Sequence, residues 1–414
     1  MDMCCPCFRN NIFSRNVVSI YLKKGRDKPV RTGHPWIFSG AIARVEGADT
    51  GPGAGAASAG EACTVLSNSN EVLGSGYYNP ASSICVRMLS SGKAPFSVND
   101  LKLRIDRACE LRKPLLENPT TNAYRLVNSE GDFLPGLIVD RYGEGLCVQV
   151  LTAGMERLRD DFVPYLQSTL LPSYIYERSD TDARTREGLG PKEGLLSGDM
   201  PESPVVMENG LRFYVDLAQG QKTGLFLDQR CNRKLLGTYA KNAAVCDCFA
   251  YTGGFTVSAL TAGARSVHAI DISKSALDCA KKNVTLNALP LVNEQFIAAD
   301  VFTYLRETSE EFDLIVLDPP KFARHPGEVP KAARGYKDIN LQAFKKAARD
   351  AIIFTFSCSN AVDITLFRQI VFSAAADSGR NVQVLHMLGA GPDHPVNIAH
   401  HEGDYLKGLV LRVG

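Results

Sequence analysis

From about residue 205 the sequence follows one repeating grammar, and this limits the available folds more than any other feature. "NAAVCDCFA", "SVHAID", "EQFIAAD", "FDLIVLDPP" and "AIIFTFSCS" read as strands, and "GGFTVSALTAG", "SKSALDCAKKNVTLNAL" and "INLQAFKKAARD" between them read as helices. Strands joined by helical crossovers run parallel, and a parallel sheet of apolar strands needs helices on both faces. Residues 201–414 are therefore predicted to form an α/β domain around a parallel sheet. In such sheets ligands bind beyond the carboxyl ends of the strands.

Those strand ends carry a coherent set of groups. The first runs into "FAYTGGF", residues 249–255, whose glycines let a backbone approach a ligand and leave N–H groups open at a helix N-terminus. It is not the GxGxxG pattern of a dinucleotide site. The second strand ends at Asp271, placed to accept hydrogen bonds from a ribose diol. The third supplies Asp300, and the fourth supplies Asp318 in "DPPKF", where prolines stiffen the loop. Unrelated surface acids are the plain alternative. A glycine turn followed by acids at three successive strand ends fits a nucleoside without phosphates better than NAD, and S-adenosylmethionine (SAM) is such a ligand. The last strand, "IIFTFSCSNAVD", ends on Cys358 between two serines. Cysteine is usually a small buried filler, but at a carboxyl end it is also placed to react.

The first half of the chain has a different texture. Residues 17–96 read as a β-rich unit, with "VVSIYL" and "CTVLS" as strands and Pro35 and Gly40 bracketing Trp36 and Phe38. The stretch "GADTGPGAGAASAG" has too few large side chains to pack and is expected to be a loop. Residues 97–200 begin with a predicted helix whose Leu101, Ile105, Ala108 and Leu111 share a face and which Pro114 interrupts. Two strands about a Gly143/Gly145 turn, a helix and the strand "YIYERSD" complete a small α/β unit. The Gly- and Pro-rich stretch from Gly188 to Pro204 reads as a linker, with a boundary near residue 200.

Composition mainly excludes. The formal charge of +1 over 414 residues argues against a chain that is basic or acidic throughout. Residues 1–46 are locally basic, with Lys23, Lys24, Arg26, Lys28 and Arg31 among their cations, which suits either a polyanion or a solvated face. No run of ~18 apolar residues suggests a membrane span. Residues 1–16 lack the apolar core of a signal peptide, and Arg9 and Arg15 make a poor organellar transit sequence. This segment, with its Cys4-to-Cys7 CxxC and no second pair, reads as a disordered N-terminus. The 12 scattered cysteines read as reduced thiols. A cytoplasmic protein is expected, or one of an organellar matrix if the source is a eukaryote.

Taken together, the motifs resemble the ribosomal RNA large subunit methyltransferase I family, SAM-dependent enzymes that make 5-methylcytosine in 23S-type rRNA. "KGRDKPVRTGHPWIFSGAIARVEG" is similar to that family's PUA-type RNA-binding domain, and "YRLVNSEGDFLPGLIVDRYG" and "YIYERSD" to its linking domain. "KTGLFLDQR", "CFAYTGGFTVSAL", "DPPKF", "RGYKDIN", "FTFSCS" and "DHPVNIAHHEGDYLKG" are similar to its catalytic domain. The resemblance implies a class I, Rossmann-like SAM-methyltransferase domain preceded by a small α/β linking domain and a PUA-like domain. It makes Cys358 the nucleophile and gives Asp318 the N3 edge of the cytosine. Tyr251, Thr252, Gly253 and Gly254 would line the methionine portion of SAM, Asp271 would take the ribose and Asp300 the adenine amino group. Phe249, Ile272 and Val301 would lie beside them, and Lys222 and Asp228 on a segment that closes over the cofactor. A cap and an ion pair are the structural alternative for Asp228 and Arg230. RNA contacts would come from Lys23, Lys24, Arg26, Arg31, His34 and Trp36.

The carbon 5 chemistry that the resemblance implies explains why a thiol would be there. Carbon 5 of cytosine is too weak a nucleophile to take a methyl group from a sulfonium until a thiolate adds at carbon 6 and makes the ring an enamine. A thiol of pKa ~8.5 benefits from nearby positive charge, and Lys321 is a candidate for it. Many 5-methylcytosine RNA methyltransferases carry a second cysteine where this chain has Lys321. The turn before the last strand, usually glycine-rich, reads "AARDAII" here. His394, His400 and His401 show no ligand spacing, so no metal is expected, and they read as structural or RNA-facing. Large-subunit rRNA is the expected partner, with no membrane, and the oligomeric state stays open between monomer and homodimer. The rival readings are a guanine-nitrogen rRNA methyltransferase, which needs no thiol, and a non-catalytic SAM-binding rRNA assembly factor.

Overall fold

The computed structural model describes residues 18–47, 57–218, 220, 225–292 and 295–414. Lys222 and the N-terminal cysteines lie outside them. Two compact units emerge. One holds the described residues up to Glu117, Tyr124–Glu202 and Pro395–Gly403, and the other holds Asn118–Ala123, Ser203–His394 and Asp404–Gly414.

The first unit contains two sheets. Six strands lie in the order Trp36–Phe38, Ile84–Ser91, Val72–Tyr78, Glu61–Leu66, Val18–Leu22 and Ile42–Glu46. Val18, Ile20, Leu22, Cys63, Val65 and Val86 fill their core. A second sheet has five strands, Lys192–Gly198, Tyr174–Ser179, Gly145–Val150, Leu137–Tyr142 and Ala123–Asn128. The helix Val98–Leu111 starts on a reciprocal cap, in which the Ser97 hydroxyl accepts from the Asp100 N–H and the Asp100 carboxylate accepts from the Ser97 N–H. Its Leu101, Ile105 and Ala108 are buried, whereas Leu111, expected on the same face, is exposed. Leu111 is the last residue of that helix, which gives way to a separate turn at Lys113–Leu116. The stretch read as a linker also differs, because Lys192–Gly198 is an edge strand antiparallel to Tyr174–Ser179. Main-chain pairing forms it, so its half-exposed side chains left no apolar period to read.

The second unit is built on a seven-stranded sheet: β1 Ala244–Cys248, β2 Ser266–Asp271, β3 Phe296–Ala298, β4 Phe312–Leu317, β5 Ala347–Ser357, β6 Val382–Leu388 and β7 Lys407–Val413. Its order is β3-β2-β1-β4-β5-β7-β6. The first five strands are parallel, and β7 runs antiparallel between β5 and β6. Among the described residues six helices accompany it, α1 Arg230–Gly237, α2 Gly254–Thr261, α3 Lys274–Leu286, α4 Val301–Glu307, α5 Val329–Lys346 and α6 Ile364–Ser378. Successive strand residues point to opposite faces. Val245, Leu314, Val316 and Phe354 pack with Leu236 of α1 and Ala259 of α2. Cys246, Ile315, Leu317 and Ile353 instead pack with Tyr336 and Phe344 of α5 and Phe367 of α6. "AARD" therefore belongs to β5 rather than to a helix end or a turn, with Asp350 at φ 63° absorbing the irregularity. Strand order reverses beside β1, which opens a crevice at the carboxyl ends.

Candidate active site

The crevice is a cleft of about 560 Å³, within the range of small-molecule sites. After β1 the chain turns through Phe249, Tyr251 and Gly253, all at positive φ (62°, 50° and 79°), before α2 begins. Strain held at two non-glycine residues is a mark of a site whose loop shape matters. Gly253 has no alternative, since a Cβ there would lie 2.8 Å from the Ala280 Cβ on α3. Buried Asn283, also on α3, supports the same loop: its amide N–H donates to the Thr252 carbonyl at 2.8 Å.

The acids follow in strand order. Asp271 accepts from the Tyr251 N–H at 2.9 Å and from the Ser273 N–H at 2.8 Å, which ties the end of β2 to the glycine loop. Asp300 caps α4, its Oδ1 accepting from the Thr303 N–H at 2.9 Å and the Thr303 hydroxyl at 3.1 Å. Both carboxylates thus have structural work and still face the cleft. Asp318 follows β4, with Pro319 and Pro320 beside it in the wall. Asp228 is buried in the 3₁₀ turn Leu227–Gln229 and accepts from the Tyr405 hydroxyl at 2.6 Å. Arg230 makes the ion pair expected of the structural alternative, with Asp393 at 2.6 Å.

Cys358 lies one residue beyond β5, partly exposed in the wall of the same cleft. Its Sγ lies 3.9 Å from the Pro319 carbonyl oxygen. The flanking serines hold it there. The Ser357 hydroxyl donates to the Tyr336 hydroxyl at 3.0 Å, the Ser359 hydroxyl lies 3.0 Å from that same oxygen, and Ser359 Oγ accepts from the Ala323 N–H at 3.1 Å. This buried knot joins β5, α5 and the loop after β4. It accounts for serines on both sides of the cysteine and for the tyrosine of "RGYKDIN". Lys321 is exposed, and its ammonium donates to Asn360 Oδ1 at 3.3 Å.

Of the residues singled out from the sequence, Asp228, Phe249, Tyr251, Thr252, Gly254, Asp271, Ile272, Asp300, Val301, Asp318 and Cys358 line this one cleft. Gly253 does not line it and acts by permitting the turn. Arg233, Phe226 and Tyr405 are additions that the sequence reading did not single out. Arg233, buried on α1, donates to both Glu208 oxygens (2.7 and 2.6 Å) and to the Phe226 carbonyl at 2.9 Å. Burial opposes its charge, and Glu208 more than offsets this. Glu208 comes from the hairpin Val205–Glu208/Leu211–Tyr214, whose Asn209-Gly210 turn takes the positive φ values that such a tight turn needs. Arg233 Nη1 lies near Gly254 at the cleft. Its one legible signal is the strong amphipathicity of "RCNRKLLG".

The predicted RNA-binding residues all lie in the first unit. Lys23, Lys24 and Arg26 are exposed, while Arg31 is committed to Asp27 and Glu71. Trp36 donates from Nε1 to Glu130 at 2.8 Å and packs edge-on against His400, with ring centres 4.4 Å apart. His34 lies 3.4 Å from Glu402. His400 is buried in this unit and His401 exposed, while His394 is buried in the second unit. Among the described residues no group of His, Cys, Asp and Glu is arranged to hold a metal ion.

The cleft suits SAM on chemical grounds. A rim of carboxylates complements a ribose diol, an adenine amino group, an ammonium and a sulfonium, and it would repel a phosphate. Arg233 offers a cation for the one carboxylate of such a ligand. A doubly wound sheet with this crevice defines the chain's class, that of SAM-dependent methyltransferases. Residues 189–338 match the family model of S-adenosylmethionine-dependent methyltransferases, and residues 20–91 match that of PUA-like domains. Ribosomal RNA large subunit methyltransferase I of Aeromonas salmonicida is 43% identical over 95% of this chain and 99% of its own length, and that of Tolumonas auensis 42% over the same shares. The chain belongs to that family. Its fold is shared with a candidate SAM-dependent methyltransferase from Streptococcus mutans, at a TM-score of 0.80, 22% identity and coverage of 95% of this chain and all of the other.

Proposed function

We propose that this protein methylates carbon 5 of a cytosine in large-subunit ribosomal RNA through a transient bond between Cys358 and carbon 6. The observation that carries this reading is Cys358 itself, a thiol at a carboxyl strand end in the wall of the cleft that also holds Asp271, Asp300 and Asp318. The named relatives act on ribosomal RNA of the large subunit, and the PUA-like match supports a nucleic-acid partner.

SAM supplies the electrophilic methyl group when bound. Around it Asp271 would take the ribose diol, Asp300 the adenine amino group and Arg233 the methionine carboxylate, while the loop at 249–254 would supply backbone contacts. Cys358 as thiolate adds to carbon 6, so the electron pair of the 5,6 double bond becomes available at carbon 5. Asp318 holds the N3 edge and stabilises the protonated adduct. Once carbon 5 carries the methyl group, its proton passes to solvent, the bond between carbon 6 and the Cys358 sulfur breaks, and the thiolate leaves with the 5,6 double bond restored. The base must leave its stack for this, so a flipped or single-stranded cytosine is the substrate.

The test is methyl transfer from labelled SAM to large-subunit RNA, followed by nucleoside analysis. Wild type yields labelled 5-methylcytosine, and Cys358→Ala yields none while still binding SAM. Label in a methylguanine, or transfer that survives in Cys358→Ala, overturns the reading in favour of nitrogen methylation.

A further inference from the structure

Lys407 opens β7 directly opposite Ser357 in the antiparallel register with β5, and it is only 5% exposed. Its ammonium donates to the Ser359 carbonyl at 2.9 Å and the Tyr405 carbonyl at 2.7 Å. The residues before and after Cys358 are thus, respectively, its strand partner and its acceptor. Among the described residues no carboxylate makes an ion pair with it, Asp404 acting only from a distance, and two of its three N–H donors are used. A buried ammonium with no carboxylate in direct contact is costly, and proteins keep one only where something compensates.

We propose that Lys407 is a positioning residue whose buried ammonium is the counter-ion of the Cys358 thiolate. The proposal rests on Cys358 acting as nucleophile. When the thiol ionises, its proton leaves to solvent and the sulfur joins Asp404 and Asp363 as an anion acting on Lys407. The groups acting on Lys407 fit this role. Burial pushes its ammonium below the usual lysine range, Asp404, a Cys358 thiolate and Asp363 favour its charge, and Lys321 opposes it. Asp318 and Lys321 share the cleft wall with the thiol, and the Tyr336 phenol beneath also feels its charge. Lys321, the cation expected from sequence, is solvated, and water screens an exposed charge far more than one inside the protein. Lys407 has the advantage of a drier setting and a fixed position.

The experiment reads the thiol and not the product. Wild type, Lys407→Met, Lys407→Arg and Lys321→Ala are alkylated with iodoacetamide across pH 5.5 to 10, and modification of Cys358 is followed by peptide mass spectrometry. Lys407→Met is expected to raise the midpoint by about one unit, so that the rate at pH 7 falls about tenfold. Lys407→Arg restores most of it, and Lys321→Ala moves it less. An unchanged midpoint in folded Lys407→Met overturns the proposal, as does a larger shift in Lys321→Ala. If Lys407→Met does not fold, Lys407→Gln, which keeps a donor for the carbonyls, carries the same two outcomes. Because alkylation needs no RNA, failure here is distinct from failure of Cys358→Ala to abolish methyl transfer.

Discussion

Asp247 shows how one residue can reveal what a site costs the fold. It lies within β1 just before the glycine loop, 1% exposed, and accepts from the Thr256 hydroxyl at 2.6 Å. Burial pushes its carboxyl up to about 7 in spite of that hydrogen bond. In the unfolded chain it titrates near ~3.9, so between those values the folded state binds the extra proton and stability falls as pH rises. Asp247→Asn has no charge to bury and keeps an acceptor for Thr256. Whatever its offset at pH 5, its melting temperature should gain on wild type by several degrees by pH 8, equivalent to roughly 2–4 kcal/mol. Thermal scans at both pH values check this, and a difference that does not move with pH rejects it. Sequence could not single out Asp247, because a strand reading shows the alternation but not which alternate position loses all its water. Asp271, Asp300 and Asp318 were legible for the opposite reason: they stand where strands stop.

At the scale of elements, the loop between β1 and α2 does the positioning, and its glycines differ in what they permit. Gly253 combines φ 79° with a Cβ position 2.8 Å from Ala280, whereas Gly263 has φ 86° with nothing within 4 Å. An alanine at 263 meets only the left-handed penalty of about 1–2 kcal/mol. At 253 it must also push α3 away from the loop that Asn283 anchors. Gly253→Ala should therefore weaken SAM binding tenfold or more, while Gly263→Ala loses some thermal stability and keeps wild-type affinity. Calorimetric titration with SAM separates them, and equal effects would show that conformation alone matters. The alternating strands and helices of this unit could be read because each buries a continuous apolar stripe. Lys192–Gly198 could not, since it owes its existence to a neighbour's main chain. The same holds for Lys407, whose importance comes from a register between strands that are fifty residues apart.

Over the whole molecule, 46 cations and 45 anions nearly cancel, so RNA affinity under the proposed function must come from local arrangement. In the first unit Arg31 pairs with Asp27 and Glu71, and Arg44 pairs with Glu46, so a phosphate would have to compete with a carboxylate for either. Lys23, Lys24, Arg26 and Lys28 are exposed and have no carboxylate partner among the described residues. Each phosphate neutralised on single-stranded RNA contributes about −0.7 to the slope of log K against log salt, so these cations together give a slope of about −3. Replacing Lys24, Arg26 and Lys28 together with glutamine should flatten it by about 2. SAM affinity should not change, since none of these residues belongs to the cleft. Anisotropy with a fluorescent rRNA fragment over a potassium chloride series measures the slope. A flattened slope assigns backbone affinity to this basic loop and leaves the choice of cytosine to groups that read bases. An unchanged slope in the triple variant would mean that phosphates are held elsewhere, and the PUA-like sheet would then contribute something other than charge.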